Sequence, residues 1–94
     1  MHVHHQHTET QGSWYIEEAG ERLAALDYAV IQNGSTLSLD STRVDDRLRG
    51  KGAGKQLVAA SVEYARKHNL KLKPVCPFVV ALFDKMQEWS DVRV

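Results

Sequence analysis

Apolar residues recur at alternate positions through the first half of the chain and at three- and four-residue intervals through the second. That change of period predicts strands followed by helices. Trp14, Tyr15 and Ile16 favour a strand starting near Ser13, and Glu18-Ala19-Gly20-Glu21 offers a turn after it. A longer strand is expected over residues 22–31, with Leu26, Tyr28 and Val30 on one face and Ala25, Ala29 and Ile31 on the other. Asn33-Gly34 is a hairpin signal, because both residues tolerate positive φ. A third strand over 35–44 turns Leu37 and Leu39 inward against Ser38 and Asp40, which completes an antiparallel meander.

Past residue 43 a charged run leads into Gly50-Lys51-Gly52-Ala53-Gly54, and a helix is expected over 55–68. Leu57, Val58, Ser61, Val62 and Ala65 form its buried stripe. Asn69 suits the left-handed closing position, a short strand follows over 70–75, and Pro77 fits the first turn of a second helix. Phe78, Leu82 and Met86, with Val79 and Phe83, make the apolar face of that helix, and residues 89–94 add a short tail or an edge strand. The fold class is α/β in the α+β sense, a mixed and mostly antiparallel sheet with two helices. Residues 1–12, with His2, His4, His5 and His7, read as a flexible His-rich tail ahead of one domain over 13–94. His4 and His7 could meet on a metal only if that segment were helical, so no metal site is assigned.

Charge and composition narrow the function. Twelve Lys and Arg balance twelve Asp and Glu, and the zero net charge argues against a dedicated nucleic-acid binder. The longest strongly apolar stretch, residues 77–83, falls far short of the ~20 residues that span a bilayer. A single cysteine, Cys76, and no apolar leader are expected of a cytoplasmic protein, taken as a monomer or weak dimer.

The chemistry concentrates at residues 50–54. Three glycines between a strand and a helix let the backbone bend and a ligand approach its N–H groups. The helix start adds unpaired donors and the positive end of its dipole, and Arg47, Arg49, Lys51 and Lys55 surround the turn. This is the pattern of a phosphate or pyrophosphate site. A nucleoside-triphosphate loop, G-x-x-x-x-G-K-[ST], would need glycine at Arg49 and Ser or Thr at Gln56. A dinucleotide fingerprint starting at Gly50 would need glycine at Lys55 and a parallel βαβ unit.

Arg49-Gly50-Lys51-Gly52-Ala53-Gly54 instead resembles the coenzyme A pyrophosphate loop, [QR]-x-x-G-x-[GA], of the GNAT acetyltransferase superfamily. More narrowly the chain is similar to short single-domain GNAT-like proteins, the YjdJ-like group. Ser41-Thr42-Arg43-Val44, the glycine loop and Pro74-Val75-Cys76-Pro77-Phe78 stand in the order of that group's recognisable run. The resemblance implies a shortened GNAT core that binds acetyl-CoA or coenzyme A between two splayed parallel strands, 35–44 and 70–75. The pantetheine arm would pair with backbone at Thr42, Arg43 and Val44, and the N–H groups of Gly50, Lys51, Gly52, Ala53, Gly54 and Lys55 would hold the pyrophosphate beside Arg49. Arg47 and Arg49 could hold the 3′-phosphate. The implied activity is N-acetyl transfer to an amine, such as one on a protein or peptide. The alternative is a non-enzymatic CoA-binding or partner-regulating module.

Acetyl transfer needs a deprotonated nucleophile, an oxyanion stabiliser and a proton for the leaving thiolate. Phe83 stands where superfamily members carry a tyrosine, and a phenyl ring has no proton to give. Ser41 replaces the short group's histidine. The candidate catalytic residues are therefore Cys76, Ser41 and Asp40. Cys76 precedes a helix start that can lower its pKa, and would protonate the thiolate or carry the acetyl group. Asp40, like Asp45, would act as a base through water, and Tyr28 is expected in the core.

Overall fold

The computed structural model describes residues 1–94. Five strands form one sheet: β1 (Val3–His7), β2 (Gln11–Glu18), β3 (Glu21–Ile31), β4 (Thr36–Val44) and β5 (Lys71–Pro74). Their spatial order equals their chain order, with β1 to β4 antiparallel and β5 parallel to β4. Helix α1 (Ala53–His68) makes the crossover from β4 to β5, and α2 (Pro77–Lys85) follows β5. No helix is long and apolar enough to cross a membrane.

Turn chemistry sets the meander. Ala19 and Gly20 both adopt positive φ between β2 and β3, and Gln32, Asn33 and Gly34 do so between β3 and β4. The α1 stripe of Leu57, Val58, Ser61, Val62 and Ala65 is buried, and Asn69 closes the helix at φ 56. Leu57, Val58, Val62 and Ala65 join Trp14, Ile16, Leu26, Tyr28, Leu37, Leu39 and Leu72 in one core cluster. Val79, Phe83, Trp89 and Val92 extend that core past β5, where Arg93 makes a parallel bridge to Leu72.

The N-terminal segment corrects the expectation of a flexible tail. Val3–His7 is an edge strand, paired residue by residue with Ile16 to Gly12 of β2. Its histidines pack as aromatic rings. His5 stacks on Trp14 at 4.3 Å, meets Tyr64 of α1 edge-on at 4.7 Å, and hydrogen-bonds the Tyr28 hydroxyl at 2.7 Å. The tip of the Tyr28 ring lies where a Cβ at residue 12 would stand, so only glycine fits at Gly12. In a strand His4 and His7 point to opposite faces.

Burial, with His7 and His68 nearby, lowers the His5 pKa from 6.5 to about 4. Between those values the unfolded chain takes up a proton at this position and the native state does not. Stability is therefore level above the window and falls as the pH is lowered through it. The full shift would be worth about 3 kcal/mol, and solvent screening of a partly exposed ring reduces this to about 1–2 kcal/mol. Urea unfolding midpoints measured across the window check this, and the decline is expected to be shallower in His5→Phe.

Candidate functional site

The site begins where β4 and β5 part. Their ladder runs only from Thr36↔Lys71 to Leu39↔Pro74. Pro74 has no N–H to continue it, and the amides of Val75 and Cys76 both turn onto the Leu39 carbonyl, each at 3.1 Å. From Ser41 onward β4 pairs with β3 alone, leaving its other edge open.

A β-bulge at the same point decides which side chains face that opening. Tyr28 pairs with Leu39 and Asp27 with Ser41, so Asp40 is an extra residue on β4. Before it Leu37 and Leu39 face the core; after it Thr42 and Val44 share the face of their partners Leu26 and Ala24. Ser41 is turned to the opposite face.

Beyond β4 the chain is fixed by charge and by one apolar anchor. The Asp45 carboxylate accepts from the Arg47 amide at 2.9 Å, and the Arg47 guanidinium bridges Asp45 and Glu21. Those hydrogen bonds hold both carboxyls below their ordinary range. Arg47 is thus engaged in an exposed cluster with Glu21 and Asp45. Leu48 is buried beneath the turn. Gly50 and Gly52 then take φ of 77° and 75°, where a side chain would be strained, and α1 starts at Ala53. The first intrahelical bond is Gln56 N–H to Gly52 C=O, which leaves the N–H groups of Ala53, Gly54 and Lys55 unused within the helix.

A groove of about 480 Å³ lies against this helix start. Of the residues singled out from the sequence, Thr42, Val44, Arg49, Gly50, Gly52, Ala53, Gly54 and Lys55 line it, whereas Arg43 and Lys51 do not. Arg43 pairs with Ala25 and shares its face of the sheet, opposite Thr42. Sequence reasoning did not assign Leu48, Phe78 and Leu82 to the site, yet they form its apolar part. Phe78 is half exposed and crosses Gly54, where an added Cβ would stand 2.7 Å from the ring. Phe83 does not reach the groove: it is 3% exposed and packs edge-on against Trp89.

The candidate catalytic residues do not converge. Cys76 Sγ lies 2.9 Å from the Thr42 hydroxyl, at the residue that precedes α2. Ser41 is on the far face beside Asp27, at 3.4 Å, and Asp40 accepts a hydrogen bond from Ser38. The three candidates Cys76, Ser41 and Asp40 are thus not brought into contact with one another. The bulge sends Ser41 away and brings Thr42 to the thiol.

Burial raises the Cys76 pKa, but the Thr42 hydroxyl and the backbone amides of Val79 and Phe78 at the helix start outweigh it, and the net shift is downward. Thr42→Val removes the largest of the opposing contributions. The pH midpoint of iodoacetamide alkylation is expected to lie below that of an ordinary thiol in the wild type and to rise in the variant. An unchanged midpoint would show that Thr42 does not tune the sulfur.

An open mixed sheet, a split parallel pair and a glycine turn opening a helix define an α/β protein whose β4–β5 crossover starts at that turn. Residues 13–92 match the family model of GCN5-related N-acetyl-transferases, and the chain belongs to that family. It is 32% identical to a GCN5-like protein from Staphylococcus aureus whose solution structure was determined by NMR. The match covers 99% of this chain and 87% of that one, with a TM-score of 0.77. The fold is also that of a ribosomal-protein-alanine N-acetyltransferase from Brucella melitensis, with a TM-score of 0.70 at 17% identity over 84% of this chain and 62% of that one. An aminoglycoside N-acetyltransferase solved in complex with CoA shares it as well, with a TM-score of 0.58 at 17% identity over 88% of this chain and 69% of that one.

Proposed function

We propose that this protein binds acetyl-CoA in the groove between β4, the glycine turn and α2, and transfers the acetyl group to an amine. The observation that carries this is the coincidence, in one groove, of an unpaired strand edge, free helix-start amides, two cations and an apolar wall. Gly50 and Gly52 have open space where a Cβ would stand, so a diphosphate can approach the backbone closely. Arg49 and Lys55 add charge, and Arg49 is held only by an exposed pair with Asp46 at 3.1 Å. Val44, Leu48, Phe78 and Leu82 suit the apolar length of a pantetheine arm. The fold neighbour solved with CoA supports the same ligand class.

Acetyl-CoA, when bound, supplies an acetyl group activated as a thioester. The chain's part is to orient and to manage a proton. The open edge of β4 from Thr42 to Val44 offers backbone donors and acceptors to an extended ligand. Cys76 stands beside the Thr42 hydroxyl, and in its thiol form would protonate a leaving thiolate. The groove is open to solvent, so an amine acceptor can reach this point.

A second reading, a CoA-binding module without catalysis, is favoured by one observation: no carboxylate or imidazole contacts Cys76. The two are separated by following thiol release from acetyl-CoA over a panel of primary amines, with amide products identified by mass. Amine-dependent release supports the transferase. Binding of acetyl-CoA without release above the amine-free blank leaves the module.

A further inference from the structure

The face of the sheet turned away from α1 carries an arrangement that the acetyl-CoA groove does not use. Strand register places Gln6, Ser13, Asp27 and Ser41 in one row across β1, β2, β3 and β4. Gln6, Asp27 and Ser41 are exposed and Ser13 is half-buried, so no helix covers the row. A second cavity of about 440 Å³ takes in three of the four, Gln6, Ser13 and Asp27, together with His7, Thr8, Gln11, Gly12 and Tyr28, and Asp27 is its one carboxylate.

Asp27 takes part in none of the structure's five ion pairs. Its only side-chain hydrogen bond comes from the Ser41 hydroxyl at 3.4 Å. Arg22, the cation nearest this row along β3, is spent on the Gln6 amide and on the Tyr15 ring, 3.7 Å away. An exposed carboxylate in no ion pair, with the Ser41 hydroxyl beside it, is a receptor for an ammonium group.

The row ends beside the proposed reaction point. Ser41 is followed by Thr42, whose hydroxyl touches Cys76, and the bulge turns these two neighbours to opposite faces. Strands lie ~4.8 Å apart, so an anchor on β3 stands about one and a half to two strand spacings from a nitrogen beside the open edge of β4, or roughly 7–10 Å. Resting on the N-acetyltransferase reading, we infer that the acceptor is a small dication. One ammonium of this diamine sits on Asp27, and its second nitrogen reaches the open edge of β4. This assigns Asp27 as a specificity-determining residue.

The test uses 1,5-diaminopentane, with 1-aminopentane as the matched monocation, on the full chain. Titration of the diamine into ¹⁵N-labelled protein is expected to move the amides of Gln6, Ser13, Asp27 and Ser41 saturably. Asp27→Asn is expected to weaken that binding at least about tenfold, the loss of one charge-assisted hydrogen bond, with its unfolding midpoint unchanged. In transfer assays the wild type is expected to prefer the diamine over the monoamine in kcat/KM, and Asp27→Asn to erase the preference. Shifts that map elsewhere, or equal diamine affinity in the variant, overturn the inference. If acetyl-CoA is bound and consumed but the preference survives in Asp27→Asn, the inference fails and the transferase reading stands. If acetyl-CoA does not bind at all, that reading fails, and the titration still decides whether Asp27 holds the diamine.

Discussion

Cys76→Ala is expected to lower the rate of acetyl transfer by about 10²–10⁴, the usual contribution of a positioned proton donor. Acetyl-CoA affinity should change less than about twofold, because Cys76 adds no charge or volume to the groove lining. The physical ground is the placement of the sulfur. It sits at the residue before α2, 2.9 Å from the Thr42 hydroxyl, with its pKa lowered by that contact and the helix-start amides. Steady-state kinetics beside equilibrium titration separate the two quantities. A fall in kcat with affinity preserved identifies a role in the chemistry. Full activity in Cys76→Ala would remove the thiol from the mechanism and leave the proton to solvent.

Leu39→Ala is expected to cost about 2–5 kcal/mol, the range for deleting a fully buried leucine side chain. For a domain of this size each kcal/mol moves the midpoint by about 4–8 °C, so the variant should melt at least about 8 °C lower. Leu39 is 0% exposed and sits at the last rung of the β4–β5 ladder, where its carbonyl receives the amides of Val75 and Cys76. The backbone contact survives the substitution, but the side chain that holds this rung in the core does not. The variant is therefore expected to loosen the site as well as the fold. Calorimetry measures the loss, and a midpoint within 2 °C of wild type, about 0.5 kcal/mol, would mean that the surrounding core collapses to fill the gap.

The parts readable from the sequence are those where one periodicity holds without interruption. The α1 stripe, the Asn69 closure, Pro77 at the start of α2 and the inward Leu37 and Leu39 follow from local spacing alone. The glycine turn was visible because positive φ at Gly50 and Gly52 is a demand that composition reveals.

What was missed arises where tertiary contacts override composition. His5 looks polar in a list of residues, yet a neutral imidazole stacks on Trp14 as another ring would. The alternation of Val3, His5 and His7 was the available sign of a strand. The bulge at Asp40 had a sign too. Leu39 and Val44 are five residues apart, an odd interval that an unbroken strand cannot place on one face. Read that way, Thr42 rather than Ser41 becomes the neighbour of Cys76. In α2, Phe78 and Leu82 form a second apolar side that faces the groove, while Val79 and Phe83 face the core. A helix apolar on both sides hides which side is which until its partners are placed.

Thermal unfolding with acetyl-CoA, coenzyme A, ATP and NAD in parallel tests the groove assignment most directly. A ligand at one hundred times its dissociation constant adds about 2.7 kcal/mol, enough to raise the midpoint of this domain by roughly ten degrees or more. The account predicts that shift with acetyl-CoA and coenzyme A and little with ATP or NAD, whose phosphate loops this turn does not match. No shift with either coenzyme, or a larger one with ATP, would contradict it.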